Sequence, residues 1–588
     1  MTTAPVDAND IANEWNLNRE QTRAFRMITD HSCRRLPDPL RLYIGGVGGT
    51  GKSRVFQALT DYFSRANQSR RLRLASYTGI AARNIRGVTL HSALCIDQRK
   101  NDGNNARSRR DLVAMWEGVD YLLIDEISMV GCRFLAQISD ALNEAKGSTD
   151  KPFGGISIIV AGDFVQLPPV GETRLYSWVN PSRSSSVAKN SRLQVIMGKL
   201  LWMTFTQVVV LEEIVRQRGP DNKRFVELLT RLRRGDCTDD DYTLLNSRLL
   251  EHAGHESSCS QWATAPIIVC DNATKDAIND QAAAAFARNS GQPLHWYHCT
   301  DKHAGKPLTD DYLVSYLANM HSGRTNYRLG RIPLVLGMPV IISQNYDVEG
   351  GIVNGTIGTL VRIRYHTDTR TGHRKLMSCI VRVDNCSAAA MPDLTDREFP
   401  VLEDTVDMRF IHPHSQKRLT IKCTQVPIQP AFALTAHKAQ GQTFNRVIVD
   451  LESCTGTEAP YVMLSRAISL EGILILRPFN KKKIRCRQSE DLRKECRRLR
   501  RLQLRTTLTS ACDDDRLSAN AALNLEFGTD GLLTTYADEP DNIVAEMKED
   551  ANSALLHLQS KLSTAKRSSV DVSLPKAKRT KESTFPSR

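Results

Sequence analysis

Long apolar runs and paired cysteines are both missing from this sequence. No apolar run approaches the roughly 20 residues that a membrane-spanning helix needs. The 14 cysteines include no C-x-x-C pair, so neither a zinc ribbon nor a disulfide framework is indicated. The first residues, MTTAPVDANDIANEW, are too acidic and polar for a signal or transit peptide. We therefore expect an intracellular protein with no membrane partner, in which most cysteines are small buried residues.

Length and positive charge are what the sequence has instead. At 588 residues it is too long for a single core, so several domains are expected. The formal net charge of +14 suits a polyanionic partner. Because many basic proteins bind no nucleic acid, this charge alone does not identify the partner.

The most informative stretch is Leu40 to Ser53, LRLYIGGVGGTGKS, in which a short apolar run leads into an eight-residue phosphate-loop pattern. Glycines let the backbone turn tightly and bring its N–H groups against phosphate oxygens. The pattern predicts a helix from about Lys52 to Arg65, whose positive dipole end faces the phosphates. Lys52 would reach the β- and γ-phosphates, and the Ser53 hydroxyl would hold Mg²⁺. The residues predicted to bind ATP here are Gly46, Gly48, Gly49, Thr50, Gly51, Lys52 and Ser53.

Apolar strands alternate with helices after this loop, which predicts a parallel sheet covered on both faces, as in a RecA-like α/β core. Asp125 and Glu126 end the apolar run YLLI, so both carboxylates should lie at the carboxyl edge of a buried strand. We expect Asp125 to complete the Mg²⁺ site and Glu126 to orient or deprotonate the attacking water. The next strand leads into GDFVQLPP, where the Gln166 amide would touch the γ-phosphate and the water together.

Nine segments in the following order resemble the Pif (petite integration frequency) family of DNA helicases, in the 5′-to-3′ branch of superfamily one: LNREQ, GGVGGTGKS, YTGIAARNIRGVTLHS, LLIDEIS, PFGGISIIVAGDFVQLPPV, LEEIVRQ, VNGTIG, FALTAHKAQGQTF and YVMLSRA. The likeness runs from about Leu17 to Arg477, and the PFGG-to-QLPPV and AHKAQGQT blocks separate this family from RecD-type helicases. The resemblance implies two RecA-like motor domains and ATP-driven movement along DNA. No family pattern follows Arg477.

The resemblance also implies roles for further residues. Gln21 looks like the glutamine that reads adenine. Arg216 and Arg466 resemble the arginines that reach the γ-phosphate from the second RecA-like domain, and such an arginine is worth about 10³ to 10⁵ in rate. Because both would lie across the cleft from the phosphate loop, cleft closure and hydrolysis would be coupled. The residues that resemble the lining of the single-strand path are Thr78, Gly79, Thr89 and His91.

The segment Phe432 to Thr443 carries polar groups around one glycine, Gly441. Thr435, His437, Lys438 and Gln440 suit contacts to phosphates and sugars, as a sequence-tolerant motor requires. We assign Gly441 to the nucleotide site. A polar loop before a strand would also fit this segment taken alone. Its place among the other motifs favours the DNA contact.

The motifs and the composition predict a chain of five segments. In chain order they are residues 1–200, a first RecA-like domain with a small wedge insertion at about 92–118; 201–359, the first part of a second RecA-like domain; 360–426, an SH3-like β insertion; 427–480, the second part of the second RecA-like domain; and 481–588, a basic arm and a largely flexible tail. The arm, Lys481 to Arg505, is expected to be helical and is either a phosphate-binding arm or a solvated helix.

These features predict an ATP- and Mg²⁺-dependent 5′-to-3′ DNA helicase that acts as a monomer on single-stranded DNA and on tailed or forked duplex DNA. Repair, recombination and telomere maintenance are the expected processes. The run PKAKRTK, from Pro575 to Lys581, suits a nuclear-import signal, so the nucleus is the expected compartment, with the mitochondrion as the alternative. Two other hypotheses stay open: a DNA-binding scaffold with a weak ATPase, and the helicase portion of a rolling-circle transposon.

Overall fold

The computed structural model describes residues 6–510, except 35, 37, 97–104, 149, 180–188, 218–221, 253–261, 263, 349, 385 and 387–390. The predicted tail beyond residue 510, the nuclear-import signal and part of the predicted wedge lie outside the described residues. In the part described, no helix is both long and apolar enough to cross a bilayer. None of the cysteines described there forms a disulfide.

The chain alternates strands and helices at first and then becomes rich in strands. The strands are β1 Arg41–Gly46, β2 Leu72–Ser76, β3 Val88–Thr89, β4 Tyr121–Asp125, β5 Ser157–Gly162, β6 Gln207–Leu211, β7 Ile267–Val269, β8 His295–His298, β9 Thr300–His303, β10 Lys306–Pro307, β11 Arg331–Leu334, β12 Pro339–Ile342, β13 Ile357–Thr367, β14 Arg374–Arg382, β15 Glu398–Leu402, β16 Asp404–Ile411, β17 Arg418–Gln425, β18 Ile428–Pro430, β19 Ala433–Thr435, β20 Val447–Val449 and β21 Ile473–Ile475. The α-helices are α1 Ala8–Glu14, α2 Arg19–Arg34, α3 Lys52–Arg65, α4 Gly79–Asn84, α5 Leu90–Ala93, α6 Asn105–Trp116, α7 Cys132–Lys146, α8 Lys189–Met203, α9 Lys223–Arg234, α10 Asp239–Asn246, α11 Asn272–Ser290, α12 Asp311–Ala318, α13 Ala436–Ala439, α14 Ala459–Leu464 and α15 Glu490–Ser510. Short 3-10 helices are Ser69–Arg71, Ile127–Met129, Pro152–Gly155, Ser322–Arg324 and Lys481–Ile484.

Among the described residues, the first sheet has six parallel strands in the order β3-β2-β4-β5-β1-β6. Strands β4 and β5 are buried along their whole length, as expected for apolar strands covered on both faces. Phe25 and Phe56 pack on one face of the sheet, and Trp116 and Trp202 pack on the other. This confirms the predicted α/β core with a parallel sheet.

The first unit, which is the part of the chain built around the six-stranded sheet, differs from the prediction in two ways. Strand β6 pairs with β1, with Val209 opposite Ile44, so the first sheet continues past residue 200. Helix α6 falls within the range predicted as the wedge, yet its Leu112 and Trp116 are buried in the core beside α7. This helix therefore packs as part of the body of the first unit. The sequence did not predict this packing, because α6 is mostly polar and only two apolar residues anchor it.

The second parallel sheet has four strands within the described residues, in the order β19-β7-β20-β21. Helices α11 and α13 pack against it. Its strands come from two distant parts of the chain, because β7 precedes the β-rich region and β19 follows it. This arrangement matches the predicted second α/β unit that is split by an insertion.

The β-rich insertion is larger than predicted and is not confirmed as an SH3-like barrel. Its described strands form one sheet along the path β11-β8-β14-β13-β12-β18, with β15 beside β14, and a second sheet in the order β10-β9-β17-β16. The segment 360–426 is thus divided between two sheets whose other strands begin at His295. The patterns LVRIRY and SCIVRVDN do form strands, β13 and β14, but alternation predicts a strand without identifying its partner.

The last described helix, α15, returns to the first unit. Thr506 Oγ1 accepts a hydrogen bond from the Val208 N–H at 3.0 Å, and Trp202 Nε1 donates to Glu495 at 2.9 Å. Leu499 is buried in the same core. One face of this helix is therefore packed against the first unit. Neither alternative for the basic arm, a phosphate-binding arm or a solvated helix, describes the whole helix.

Candidate nucleotide site and nucleic-acid path

The ends of three neighbouring strands bring the predicted catalytic residues together. Strand β1 runs into the phosphate loop, β4 ends at Asp125, and β5 leads to Asp163 and Gln166. Since β4, β5 and β1 are adjacent and parallel, all three carboxyl ends meet at one edge of the sheet. Open α/β sheets bind their ligands at this edge.

The phosphate loop is shaped by its own backbone. The N–H and the hydroxyl of Thr50 both donate to the Val47 carbonyl, at 3.3 and 2.9 Å. Gly49 has φ +93°, and a Cβ there would lie 2.5 Å from the Cβ of Arg216, so no other residue fits. Helix α3 follows Gly51, which has φ +81° and provides no capping side chain. The first N–H groups of α3 can therefore face a phosphate.

Lys52 is half-buried and folds back over the loop. Its Nζ donates to the carbonyls of Gly46 and Val47, at 2.8 and 3.1 Å. Burial lowers the pKa of Lys52, while Asp163 and Asp125 nearby oppose that shift. A phosphate oxygen would give this ammonium a charged acceptor in place of two neutral carbonyls.

Ser53 and Asp125 are the residues that would hold Mg²⁺. Asp125 is buried, and its Oδ1 accepts a hydrogen bond from the Glu126 N–H at 2.9 Å. Burial and then the adjacent Glu126 raise the pKa of Asp125 to about 7, and Lys52 opposes them. A cation stabilises the charged form of such a carboxylate, and Mg²⁺ prefers oxygen ligands. The residues present therefore fit this ion.

Glu126 combines a strained backbone with a partner from the second unit. Its φ of 56° and ψ of 45° lie in the left-handed region, which is costly for a residue with a side chain. Its Oε2 accepts a hydrogen bond from Nε2 of Gln440 at 2.8 Å. No motif predicts this contact, because 314 residues separate the two partners along the chain.

Three predicted groups converge on Gly48 of the phosphate loop. A Cβ added to Gly48 would lie 3.2 Å from Arg466 Nη2, 3.4 Å from Gln166 Nε2 and 3.6 Å from Arg216 Nη1. Gln166 also donates from Nε2 to Asp163 at 3.4 Å. The loop, the glutamine and both arginines thus form one site, as the sequence predicts.

The hydrogen bonds of the two arginines go to neutral oxygens. Arg216 Nη1 donates to the Ser465 carbonyl at 3.0 Å, and Arg466 Nε donates to the Val462 carbonyl at 2.9 Å. Burial, and then the neighbouring Arg466, lower the pKa of Arg216 to about 10, and burial also lowers the pKa of Arg466. An incoming anion would stabilise both guanidinium charges.

The backbone of Arg216 is bound to the first unit, and its side chain reaches the second. The N–H groups of Val215 and Arg216 both donate to the Gly49 carbonyl, at 2.8 and 3.2 Å. Arg466 lies on the second unit, as expected, whereas Arg216 bridges the two units and does not lie wholly across the cleft from the phosphate loop. Arg216 lies five residues beyond the end of β6, where the chain leaves the first sheet.

Gln21 lies behind the phosphate loop and is almost fully buried. Its Nε2 donates to the Thr50 carbonyl at 3.0 Å, and its Oε1 accepts from the Asn18 N–H at 3.0 Å. Both ends of the amide therefore contact the backbone and support the loop. The role of Gln21 in reading adenine stays a prediction.

An ion pair that the motifs do not predict lies beside the site. Asp163 Oδ1 accepts a hydrogen bond from Arg233 Nη2 at 2.6 Å, and Oδ2 accepts another from Nη1. The Arg233 guanidinium also lies 5.4 Å from the centroid of the Tyr461 ring. Asp163 belongs to a quoted motif, but Arg233 lies on α9, whose sequence carries no motif signal.

The residues predicted to line the single-strand path in the first unit have mixed surroundings. The side chains of Thr78 and Thr89 accept hydrogen bonds from the first turns of α4 and α5. A Cβ at Gly79 would lie 2.9 Å from a side chain of the loop before β13. His91 stacks on Phe134 with ring centroids 4.8 Å apart, beside a cleft of about 410 Å³ that both rings line. Such rings suit stacking on bases.

Helix α13 carries the predicted DNA contacts of the second unit. Burial lowers the pKa of His437, so its ring is neutral at pH 7. Lys438 Nζ donates to Asn354 and lies 5.4 Å from the centroid of the Tyr327 ring. Burial, and then Lys275 nearby, lower the pKa of Lys438 to about 8. Contact with a phosphate would favour the charged form of this lysine.

Gly441 lies at the cleft between the two units. Its φ is +81°, and its carbonyl accepts a hydrogen bond from Asn84 Nδ2 of the first unit at 3.1 Å. A Cβ at Gly441 would lie 4.0 Å from Glu126 Oε1. Thr435, which precedes α13, is buried nearby on the second sheet. The part of Gly441 in binding nucleotide stays a prediction.

The fold and the site together define a phosphate-loop nucleotide-binding protein with two parallel α/β units on either side of a cleft. Comparison with known proteins shows what the chain is similar to. Residues 16–243 match the family model described as PIF1-like helicase.

Two curated relatives match most of this chain. The ATP-dependent DNA helicase PIF7 of Trypanosoma brucei brucei is 26% identical over 495 residues, which cover 79% of this chain and 46% of PIF7. The ATP-dependent DNA helicase RRM3 of Saccharomyces cerevisiae is 26% identical over 501 residues, which cover 80% of this chain and 66% of RRM3. The chain thus spans about half to two thirds of the length of these relatives.

A solved structure supports the fold. Pif1 helicase from Bacteroides, crystallised with ADP-AlF3 and single-stranded DNA, superposes with a TM-score of 0.57 at 23% sequence identity. The superposition covers 82% of this chain and 96% of that chain.

Proposed function

We propose that this protein is an ATP-dependent DNA helicase that moves 5′ to 3′ along a single strand and opens duplex DNA ahead of it. The observation that carries the proposal is the convergence of Gln166, Arg216 and Arg466 on Gly48. A simple phosphate-binding fold needs only the loop and the lysine. Groups brought to the γ-phosphate position from both sides of a cleft are what a motor needs, because hydrolysis then changes the contacts that hold the cleft closed.

The residues of the chain divide the chemistry between them. The N–H groups of the phosphate loop and Lys52 bind the β- and γ-phosphates, and Glu126 orients the attacking water and accepts its proton. Arg466, from the second unit, neutralises charge that develops on the transferred phosphoryl group, together with Arg216. Mg²⁺ held by Ser53 and Asp125 would supply further neutralisation of the phosphate charge.

The DNA side of the proposal is supported by the relatives and by α13. The Bacteroides structure contains single-stranded DNA, and both curated relatives are named DNA helicases. In this chain, the half-buried Lys438 and the stacked ring of His91 lie on the two units, one on each side of the cleft. We infer that a single strand crosses both units and that tailed or forked duplexes are the substrates.

A strand-displacement assay tests the proposal directly. Duplexes with a 5′ tail, a 3′ tail or no tail are incubated with the protein, ATP and Mg²⁺. We expect displacement of the 5′-tailed duplex alone, dependent on hydrolysable ATP, and no displacement by Lys52→Ala. ATP hydrolysis that DNA stimulates without any displacement would instead favour a DNA-binding scaffold with an ATPase.

We also propose that the protein acts as a monomer in the nucleus, in repair, recombination or telomere maintenance. The nuclear part is supported by the basic run Pro575 to Lys581, with the mitochondrion as the alternative. Imaging of the tagged chain with and without this run tests the compartment. The mass of the complex on a tailed duplex, measured by light scattering, tests the monomer.

A further inference from the structure

One side-chain contact joins the predicted DNA-binding helix to the predicted catalytic base. Gln440 follows α13 directly, and its Nε2 donates to Glu126 Oε2 across the cleft at 2.8 Å. Gln440 is only 3% exposed and Glu126 is half-buried, so the amide end of this hydrogen bond is shielded from water. A hydrogen bond to a charged group is stronger when it is buried.

The geometry on the Gln440 side fixes the amide in this position. The Gln440 N–H donates to the Ala436 carbonyl at 3.0 Å, which ties its backbone to α13. Its Oε1 is buried and has no hydrogen-bond partner within the described residues. Burial of an unpaired carbonyl oxygen is unfavourable, so the bond to Glu126 is what favours this orientation of the amide.

The contact acts on the group that must accept a proton. A carboxylate that accepts an N–H at Oε2 offers a weaker base at that oxygen and is held toward the second unit. Within the described residues, the hydrogen bond that the structure shows for the Glu126 side chain is the one from Gln440. The position of the Glu126 carboxylate therefore depends on the position of the Gln440 amide.

The position of Gln440 depends in turn on the predicted DNA contacts. We define the cleft segment as residues 435–441, which include His437, Lys438 and Gln440. The Lys438 Nζ is two residues from Gln440 and contacts Asn354 of the loop before β13. A phosphate bound by Lys438 would replace this contact and move the backbone that carries Gln440.

We propose that Gln440 is a positioning residue that holds Glu126 away from the attacking water until single-stranded DNA occupies the cleft segment. This inference rests on the proposed function. Binding of DNA shifts the cleft segment, Gln440 leaves Oε2, and Glu126 becomes free to orient the water. Hydrolysis without DNA is slow because the base is engaged, and DNA stimulates hydrolysis by releasing it.

Two substitutions separate the hydrogen bond from simple packing. Gln440→Ala removes the amide, and Gln440→Glu keeps its shape but replaces the N–H donor with an oxygen that repels Glu126. We expect both variants to raise kcat for ATP without DNA by about tenfold or more, the effect of losing a hydrogen bond to a charged group. At saturating poly-dT, kcat should stay within about twofold of wild type, so the stimulation ratio falls.

Asn84→Ala is the matched control. Asn84 Nδ2 also crosses the cleft with one hydrogen bond to the same segment, at the Gly441 carbonyl, but it does not contact Glu126. If release of Glu126 is the cause, Asn84→Ala leaves the DNA-free rate unchanged. An equal rise in Asn84→Ala would mean that loosening of the cleft, rather than Gln440, sets the rate, and would overturn the proposal.

The remaining outcomes are also decisive. If both Gln440 variants lose kcat equally with and without DNA, Gln440 supports hydrolysis rather than restraining it. If Gln440→Glu has wild-type rates, the contact has no role. Either result overturns the proposal, provided that affinity for a fluorescent ADP analogue shows the variant to be folded. A wild-type protein whose ATPase ignores DNA would instead contradict the proposed function.

Discussion

At the scale of single residues, the nucleotide site is a cluster of buried charges whose pKa values are shifted by burial. The pKa values of Lys52, Arg216 and Arg466 are lowered, and that of Asp125 is raised. Each shift means that burial disfavours the charged form of the group. Phosphates and Mg²⁺ would supply the opposite charges, so binding of the proposed ligands would be linked to the protonation of these groups.

Lys52→Ala should abolish ATP hydrolysis and unwinding while leaving the fold intact. The loop is closed by Thr50 and Val47 and by its glycines, so it does not depend on the lysine for its shape. Steady-state ATPase assays and thermal melting of both proteins measure the two halves of this prediction. Hydrolysis that survives the substitution would place the nucleotide site elsewhere.

Glu126→Gln should bind ATP with nearly unchanged affinity and hydrolyse it about 10² to 10⁴ times more slowly, the usual contribution of a general base. The new amide keeps an oxygen that can accept the Gln440 hydrogen bond, so the cleft contact need not break. Nucleotide titrations and single-turnover hydrolysis measure the two effects. A large loss of affinity would mean that the roles of Asp125 and Glu126 are exchanged.

At the scale of elements, α9 is fixed to the end of β5 by a buried ion pair. Arg233→Met would leave Asp163 charged, buried and without its main partner. Removing one partner of a buried pair costs about 3 to 5 kcal/mol, so we expect a loss of this size in the free energy of unfolding at pH 7. The double variant Asp163→Asn with Arg233→Met removes both charges and should recover part of the loss.

The same pair predicts how stability depends on pH. Burial raises the pKa of Asp163, but Arg233 and Lys52 outweigh burial and hold this pKa below 3.8. In wild type the ion pair therefore stabilises the fold above pH 3.8. This stabilisation is lost as the pH falls through the pKa of Asp163 in the folded protein. In Arg233→Met, burial should raise the pKa of Asp163 above its value in the unfolded chain. The variant then loses stability as the pH rises, because the folded state must lose a proton that it binds more tightly than the unfolded state does. Urea unfolding at pH 4 and pH 7 should therefore show a smaller difference between the two proteins at pH 4. A difference that does not change with pH would argue against a charged Asp163.

The elements also show which features the sequence can predict. Helix α3 spans the predicted Lys52 to Arg65, because the phosphate loop fixes its start and its apolar spacing is local. The partners of β13 and β17, the packing of α15 on β6, and the contacts Glu126–Gln440 and Asp163–Arg233 were not predictable. Each joins segments that are far apart along the chain, and neither strand alternation nor a motif encodes a tertiary partner.

At the scale of the whole molecule, positive charge exceeds negative charge. The net charge of +14 would attract any polyanion, but it does not show whether the protein contacts the phosphates of DNA or its bases. The buried α13 offers a sharper test, because His437 is neutral at pH 7 and Lys438 titrates near pH 8. Only one of these two side chains should then count as a cation in DNA binding.

Changing both His437 and Lys438 to Ala should weaken single-strand binding by a similar factor for poly-dT and for mixed sequences. At pH 7 the slope of log affinity against log salt should fall by roughly 0.7, the contribution of one phosphate-neutralising cation on a single strand. The pKa of about 8 for Lys438 without DNA predicts that the advantage of wild type over the variant shrinks as pH rises past 8, because the lysine must then regain a proton to neutralise a phosphate. Fluorescence titrations at several salt concentrations and at pH 7 and 9 measure all three effects. An unchanged slope together with an altered base preference would show that α13 reads bases, and the proposed helicase would then need another surface to move along DNA without regard to sequence.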